Sequence, residues 1–270
     1  MFELPKNRTC VMGVLNVTPD SFSDGGQFLA PQHAIHRACE MVEQGADFID
    51  VGGESTRPGS EPVPLEEELR RLTPIFEALS KKGIPFSCDT TKPDVARKAI
   101  ELGAVAINDV RGFRDSEMAE LAAQSGCICI VMHMLGEPRT MQTNPVYRDV
   151  VGDVITFLET QAKTLESMGV HHSKIWLDPG IGFGKTLEHN LEILRNISNF
   201  VEVGYPVLVG VSRKSFIGKI AEEPEPRERV PGSIAAGLWC ASRGVKILRV
   251  HDVRETVQAL RVWEAIQKQA

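Results

Sequence analysis

Eight short apolar runs rich in β-branched residues alternate with amphipathic stretches along the chain, and this rhythm limits the fold more than any other feature. The runs are Cys10–Leu15, Phe48–Val51, Ile84–Cys88, Val105–Ile107, Cys127–Met132, Ile175–Leu177, Val207–Val211 and Lys246–Val250. They are continuously apolar, so both faces of each strand need covering, as in a parallel sheet. Between them, Ala34–Gln44 places Ile35, Ala38, Met41 and Val42 on one helical stripe, and Leu65–Lys81 repeats apolar residues at the same spacing. Pro31 and Pro93 are expected in first helical turns, where proline is tolerated. Gly45, Gly83, Gly103, Gly126, Gly169, Gly204 and Gly244 each end a helical pattern. Eight strand–helix units in 270 residues fit a (β/α)8 TIM barrel, with a doubly wound open sheet as the alternative. No Pro/Ser-rich linker divides the chain, so residues 1–270 read as a single domain, with Glu222–Pro231 as a loop.

Composition narrows the classes of function. A net charge of -6 argues against a nucleic-acid partner. The longest apolar run, Cys127–Met134 with His133 inside it, is far short of the roughly 20 residues that span a bilayer. Met1–Cys10 has no apolar segment of the secretory type. The six cysteines form no CxxC pair and read as reduced thiols of a cytoplasmic protein.

The polar residues gather just after the runs. They include Asn16 through Gly26, Gly52 through Gly59, Asp89, Asn108, His133, Asp178, Ser212 through Ser215, and Arg249 through Asp252. In a barrel all these strand ends meet on one face, where active sites are built. Each alone reads as a cap or turn residue; their joint occurrence does not. Arg57, Arg213, Lys214, Arg249 and His251 form a cationic set suited to phosphate or diphosphate. Asp89, Asn108 and Asp178 offer acceptors to a flat nitrogen heterocycle. Gly180 through Thr186 falls short of a P-loop, because Pro179 stands where the first glycine belongs. His133 and His251 are not at zinc-ligand spacing, while Mg2+ shared with substrate phosphates needs only one or two protein oxygens.

These motifs resemble one family. Gly13 through Gly26 resembles the signature of the dihydropteroate synthases, and Glu54 through Gly59 is similar to their second loop. Asp178 through Lys185, Ser212 through Ser215 and Arg249 through Val253 are similar to the later loops, in the family's order. The resemblance implies a folate-biosynthesis transferase with a (β/α)8 barrel. It would condense 6-hydroxymethyl-7,8-dihydropterin diphosphate with p-aminobenzoate to give 7,8-dihydropteroate and diphosphate. By the same resemblance, Asp89, Asn108, Asp178 and Lys214 would hold the pterin, with Met132 and Phe183 against its ring. Thr56, Arg57, Arg249 and His251 would meet the diphosphate, with Arg213 beside them, and Asn16 would ligate Mg2+. Phe22, Pro58 and Ser215 would form the p-aminobenzoate pocket. Arg57, Asp89, Lys214, Arg249 and His251 form the catalytic set in this reading, and the family implies a homodimer and sulfonamide targeting. Three rivals stay open: a corrinoid methyltransferase that binds pterin, a Schiff-base lyase using Lys214, and a paralogue that only binds pterin.

Overall fold

The structure, a computed structural model, describes residues 2–17, 26–55, 60–137 and 140–267. Eight parallel strands form one sheet among these residues: β1 (Cys10–Asn16), β2 (Phe48–Gly52), β3 (Phe86–Asp89), β4 (Ala106–Asp109), β5 (Ile128–Met132), β6 (Ile175–Asp178), β7 (Leu208–Val209) and β8 (Ile247–Val250). β1 through β6 pair in sequence, β1 also pairs with β8, and β8 pairs with β7. A bridge from Leu177 to Val207 joins β6 to β7, and Leu177 N donates to Pro206 O at 2.9 Å. The circle is thereby closed into a (β/α)8 barrel, and the open-sheet alternative falls away.

Every expected run contains a strand, although β7 keeps only Leu208–Val209 of the run Val207–Val211 and β3 starts at Phe86, not Ile84. Several strands reach farther into the polar residues than the apolar runs suggest, because a residue can stay in the ladder while its side chain enters the mouth, as at Asp89 and Asp178, or turns outward to cap the following loop, as Asp109 does on the Arg111 and Phe113 amides. Thus β3, β4 and β6 end on Asp89, Asp109 and Asp178.

The helices are α1 (Gly26–Glu43), α2 (Leu65–Lys81), α3 (Pro93–Glu101), α4 (Ser116–Ser125), α5 (Val150–Ser167), α6 (Leu187–Arg195), α7 (Ile197–Glu202), α8 (Ser215–Ile220), α9 (Val230–Ser242) and α10 (Val253–Gln267). Pro93 opens α3 as expected, but Pro31 lies inside α1, whose start precedes it by five residues. The stretch read as a loop at Glu222–Pro231 instead holds a 3-10 turn at Pro226–Arg229 and the start of α9.

Strand alternation divides the core in two. Met12, Phe48, Ile130, Trp176 and Ile247 point inward and fill the barrel, and Phe2 packs on Phe48 at a ring separation of 4.9 Å. The outward set, including Val11, Ile49, Cys88 and Leu248, packs against the helices. Two residues farther along the inward series, apolar side chains give way to Asp50, Asn108, Asp178 and Arg249. This change from apolar to polar filling defines the functional end.

Candidate active site

The floor of the mouth is a charged lattice centred on Asp50, which is 0% exposed. Its Oδ1 accepts from Ser87 Oγ at 2.6 Å. Its Oδ2 accepts from Asn108 Nδ2 at 3.1 Å and from Arg249 Nε at 2.7 Å. Arg249 also donates from Nη2 to Asp89 Oδ2 at 2.8 Å. A buried carboxylate without such partners would be costly. Burial and the charge of Asp50 push the Asp89 carboxyl up to about 7, against the pull of Arg249. Asp50 lies within the otherwise apolar run Phe48–Val51, one acid between Ile49 and Val51 in a strand covered on both faces.

Above this floor lies a cleft of about 320 Å³, its open mouth included, bordered by Asp89, Asn108, Met132, Asp178, Phe183, Lys214 and Arg249. All seven are sequence-predicted site residues. Register accounts for part of the convergence, since Asn16, Gly52, Asp89 and Asn108 are successive partners across β1 to β4. Lys214 Nζ sits 4.2 Å from the Phe183 ring centroid. Burial pushes the Asp178 carboxyl up, while the Gly180 amide, donating to Oδ1 at 2.7 Å, pulls it down. Asn108 Oδ1 is the one buried side-chain polar atom without a hydrogen bond among the described residues. Its Nδ2 is committed to Asp50, so the atom left without a partner is an acceptor, on a residue that borders the cleft.

The loop after β6 is pressed onto the loop after β5. A Cβ at Gly180 (φ 67°) would fall 1.9 Å from His133 O, so only glycine permits this approach. Lys185 secures the junction from beneath: its Nζ donates to Gly180 O at 2.9 Å and Phe183 O at 3.0 Å, and lies 3.0 Å from His133 Nδ1. Burial, with Lys185 and Arg114 nearby, drives the His133 pKa down to about 2, leaving a neutral ring that can accept. Burial pulls the Lys185 pKa down to about 7, against the opposing charge of Asp178.

His251 closes the mouth on the β8 side. Its backbone N–H donates to Ser212 Oγ at 3.2 Å and its Nδ1 lies 3.1 Å from the same oxygen. Arg213 is turned to Asp252, donating from Nε to Oδ2 at 2.9 Å and from Nη2 to Oδ1, which engages its charge at the rim. Ser215 opens α8 beside a second cavity with Thr186 and Lys219, not in the cleft that holds Asp178. Asn16 ends β1, half-buried. Phe22, Thr56, Arg57 and Pro58 lie outside the described residues.

A barrel mouth with acceptors for a flat ring and half-buried cations for an anionic tail is a site for a heterocycle with an anionic substituent. Comparison with known proteins agrees. Residues 12–251 match the family described as pterin binding enzyme. The dihydropteroate synthase of Synechocystis sp. is 48% identical over 261 residues, covering 96% of this chain and 90% of that protein. That of Escherichia coli strain K12 is 46% identical over 256 residues, covering 94% and 90%. Among solved structures, Xanthomonas albilineans dihydropteroate synthase with 4-aminobenzoic acid superposes with a TM-score of 0.93 at 44% identity, covering 98% of this chain and 95% of that one. The Thermus thermophilus enzyme in complex with 6HMPPP gives 0.85 at 48%, covering 96% and 95%. The chain belongs to the pterin binding enzymes and, within them, to the dihydropteroate synthases.

Proposed function

We propose that this chain joins 6-hydroxymethyl-7,8-dihydropterin diphosphate to p-aminobenzoate, releasing 7,8-dihydropteroate and diphosphate. The observation that carries the reading is the set of acceptors around the cleft. The unpaired Asn108 Oδ1 and the Asp178 and Asp89 carboxylates suit the amino and ring N–H donors of a pterin. A corrinoid methyltransferase would share that recognition without needing the neighbouring cations.

The reaction follows from the same residues. Lys214 and Phe183 form one side of the cleft and Met132 borders it, so a flat ring can lie between them. Arg249 uses Nε and Nη2 on carboxylates, which leaves Nη1 for a diphosphate oxygen, with His251 following two residues later just past the end of β8. Loss of diphosphate leaves an exocyclic methylene cation delocalised into the pterin, which the Asp89 and Asp178 carboxylates stabilise. The aniline nitrogen is neutral at pH 7 and attacks without a strong base, and the acidic proton of the new anilinium is then lost to the released diphosphate. No covalent enzyme intermediate is required, and Lys214 acts as a charge instead of a Schiff-base nucleophile.

Mg2+ fits this donor set as a shared ion. Asn16 supplies a hard oxygen at the mouth, and the described residues hold no group of three or more His, Cys, Asp or Glu able to cage a metal alone. Asn16 would hold the ion together with the substrate's phosphate oxygens, and the ion would supply neutralisation of leaving-group charge.

A second copy of the chain is the proposed partner. Helix α9 carries no charged residue, and Pro231, Ala235 and Trp239 form an exposed stripe along it at four-residue spacing. We place the protein in the cytoplasm, on the strength of its free thiols. No helix among the described residues is long and apolar enough to cross a membrane.

The test is turnover. Purified protein given the pterin diphosphate, p-aminobenzoate and Mg2+ should form 7,8-dihydropteroate and diphosphate in equal amounts by mass spectrometry. Diphosphate release without any dihydropteroate would refute the reading.

A further inference from the structure

Asp50 touches none of the open space of the cleft, yet it is bonded to two residues that border it. We infer that Asp50 sets the specificity of the pterin site by locking Asn108 with its carbonyl oxygen toward the cleft and by fixing the guanidinium of Arg249 across the mouth. The inference rests on the pterin reading above and adds to it a residue that never meets the substrate.

An asparagine amide presents an acceptor or a donor according to its flip, and the two forms have nearly the same shape. What decides between them at Asn108 is its inner neighbour. Asp50 Oδ2 is an acceptor only, 3.1 Å from the amide nitrogen. Flipping the amide would set oxygen against oxygen in a buried site, losing a hydrogen bond and adding repulsion. Asp50 cannot turn away, because Ser87 Oγ holds its Oδ1 at 2.6 Å and Arg249 Nε holds the same Oδ2 at 2.7 Å. The constraint therefore passes outward: Ser87 and Arg249 fix Asp50, Asp50 fixes the Asn108 amide, and the amide offers only Oδ1 to the ligand. Together with Asp89 and Asp178, the cleft then selects a ring edge rich in N–H donors. It penalises a ring with an acceptor in the same place.

Asp50 has a second task at Arg249. The guanidinium is held from two sides, by Asp50 at Nε and by Asp89 at Nη2. This fork leaves little freedom for the remaining nitrogen, so the group that meets the leaving diphosphate is placed before substrate arrives.

Two substitutions separate the tasks. In Asp50→Asn the new amide can keep its oxygen toward Asn108 and Arg249 while its NH2 faces Ser87, whose hydroxyl can turn from donor to acceptor. Asn108 stays locked, but the charge beneath Arg249 is lost. Asp50→Leu removes the lock altogether. Affinities for 6-hydroxymethylpterin and for its 2,4-dioxo analogue, in which the amino donor becomes an acceptor, are measured by calorimetry, with kcat and KM alongside.

The wild type should favour the pterin. Asp50→Asn should keep that preference and KM within about threefold while kcat falls by about tenfold or more, a split that general loosening of the fold would not give. Asp50→Leu should cut the preference by about tenfold, the worth of roughly one buried hydrogen bond of reversed polarity. Retained preference in a folded Asp50→Leu variant would overturn the inference. Should Asp50→Leu fail to fold, Asp50→Asn decides: lost preference or unchanged kcat overturns it. A wild type that binds no pterin refutes the function proposed above, a different failure from either.

Discussion

Asp178 shows how one backbone contact decides the effect of a substitution. The Gly180 N–H holds Oδ1 at 2.7 Å, so the other oxygen is the one available to a ligand in the cleft. Asp178→Asn would keep its oxygen on Gly180 and turn its NH2 into the cleft, opposing a donor with a donor. A lost charged hydrogen bond costs about 1.5–3 kcal/mol, so pterin affinity should fall by at least about tenfold. Calorimetry on a folded variant checks this, and unchanged affinity would remove Asp178 from pterin recognition. Lys185 makes the complementary case, since its contacts are all internal. Lys185→Met leaves Gly180 O and Phe183 O without their donor at about 1–3 kcal/mol for each buried group unpaired. The urea midpoint should drop, with pterin affinity dropping too because Phe183 borders the cleft. A variant as stable as the wild type would contradict the assigned contacts. Most of the cleft was legible in the sequence, because polar residues ending apolar strands must converge in a barrel. Asp50 and the role of Lys185 were not: one sits inside an apolar run, and the other bonds to carbonyls, which carry no side-chain signature. The pairing of Arg213 with Asp252 joins residues 39 apart and depends on the positions of both loops.

At the level of elements, the strands were the most legible feature because their apolar runs are unbroken. Their ends were less so, since hydrophobicity stops where the mouth begins while the hydrogen-bonded ladder continues to Asp89 and Asp178. α1 was shortened in the reading by Pro31, which the helix accommodates in its interior. α9 presents a different problem, a helix whose exposed stripe is as apolar as its buried one. Trp239 is 42% exposed, its indole donates to Leu194 O at 2.7 Å, and Arg243 stacks on it at 3.4 Å. On α10, Val262 and Ile266 are exposed as well. A surface of this kind on an acidic protein calls for a cover, and self-association supplies one by symmetry. Ala235→Arg places a charge on the stripe without touching the indole hydrogen bond. Analytical ultracentrifugation should find the wild type dimeric and this variant shifted toward monomer. A variant that remains fully dimeric would move the interface elsewhere.

The whole molecule is a rigid barrel with chemistry at one end. Its inner core is apolar up to Phe48, Ala106, Trp176 and Ile247, then changes to Asp50, Asn108, Asp178 and Arg249 two residues farther along those four strands. The buried lattice of Asp50, Asp89, Asn108 and Arg249 readies the pterin end before substrate arrives. The amine pocket is assigned by resemblance to Phe22, Pro58 and Ser215, of which the first two lie outside the described residues. If diphosphate leaves before the amine attacks, the expected order is pterin diphosphate first, then p-aminobenzoate in a pocket that the diphosphate helps to build. Calorimetric titration of p-aminobenzoate with and without diphosphate and Mg2+ puts that order to the proof. Binding to the free enzyme should be weak, and diphosphate with Mg2+ should tighten it roughly 5- to 150-fold, with the reciprocal gain for diphosphate. Equal p-aminobenzoate affinity in both conditions would contradict the order and indicate a site complete before the first substrate binds.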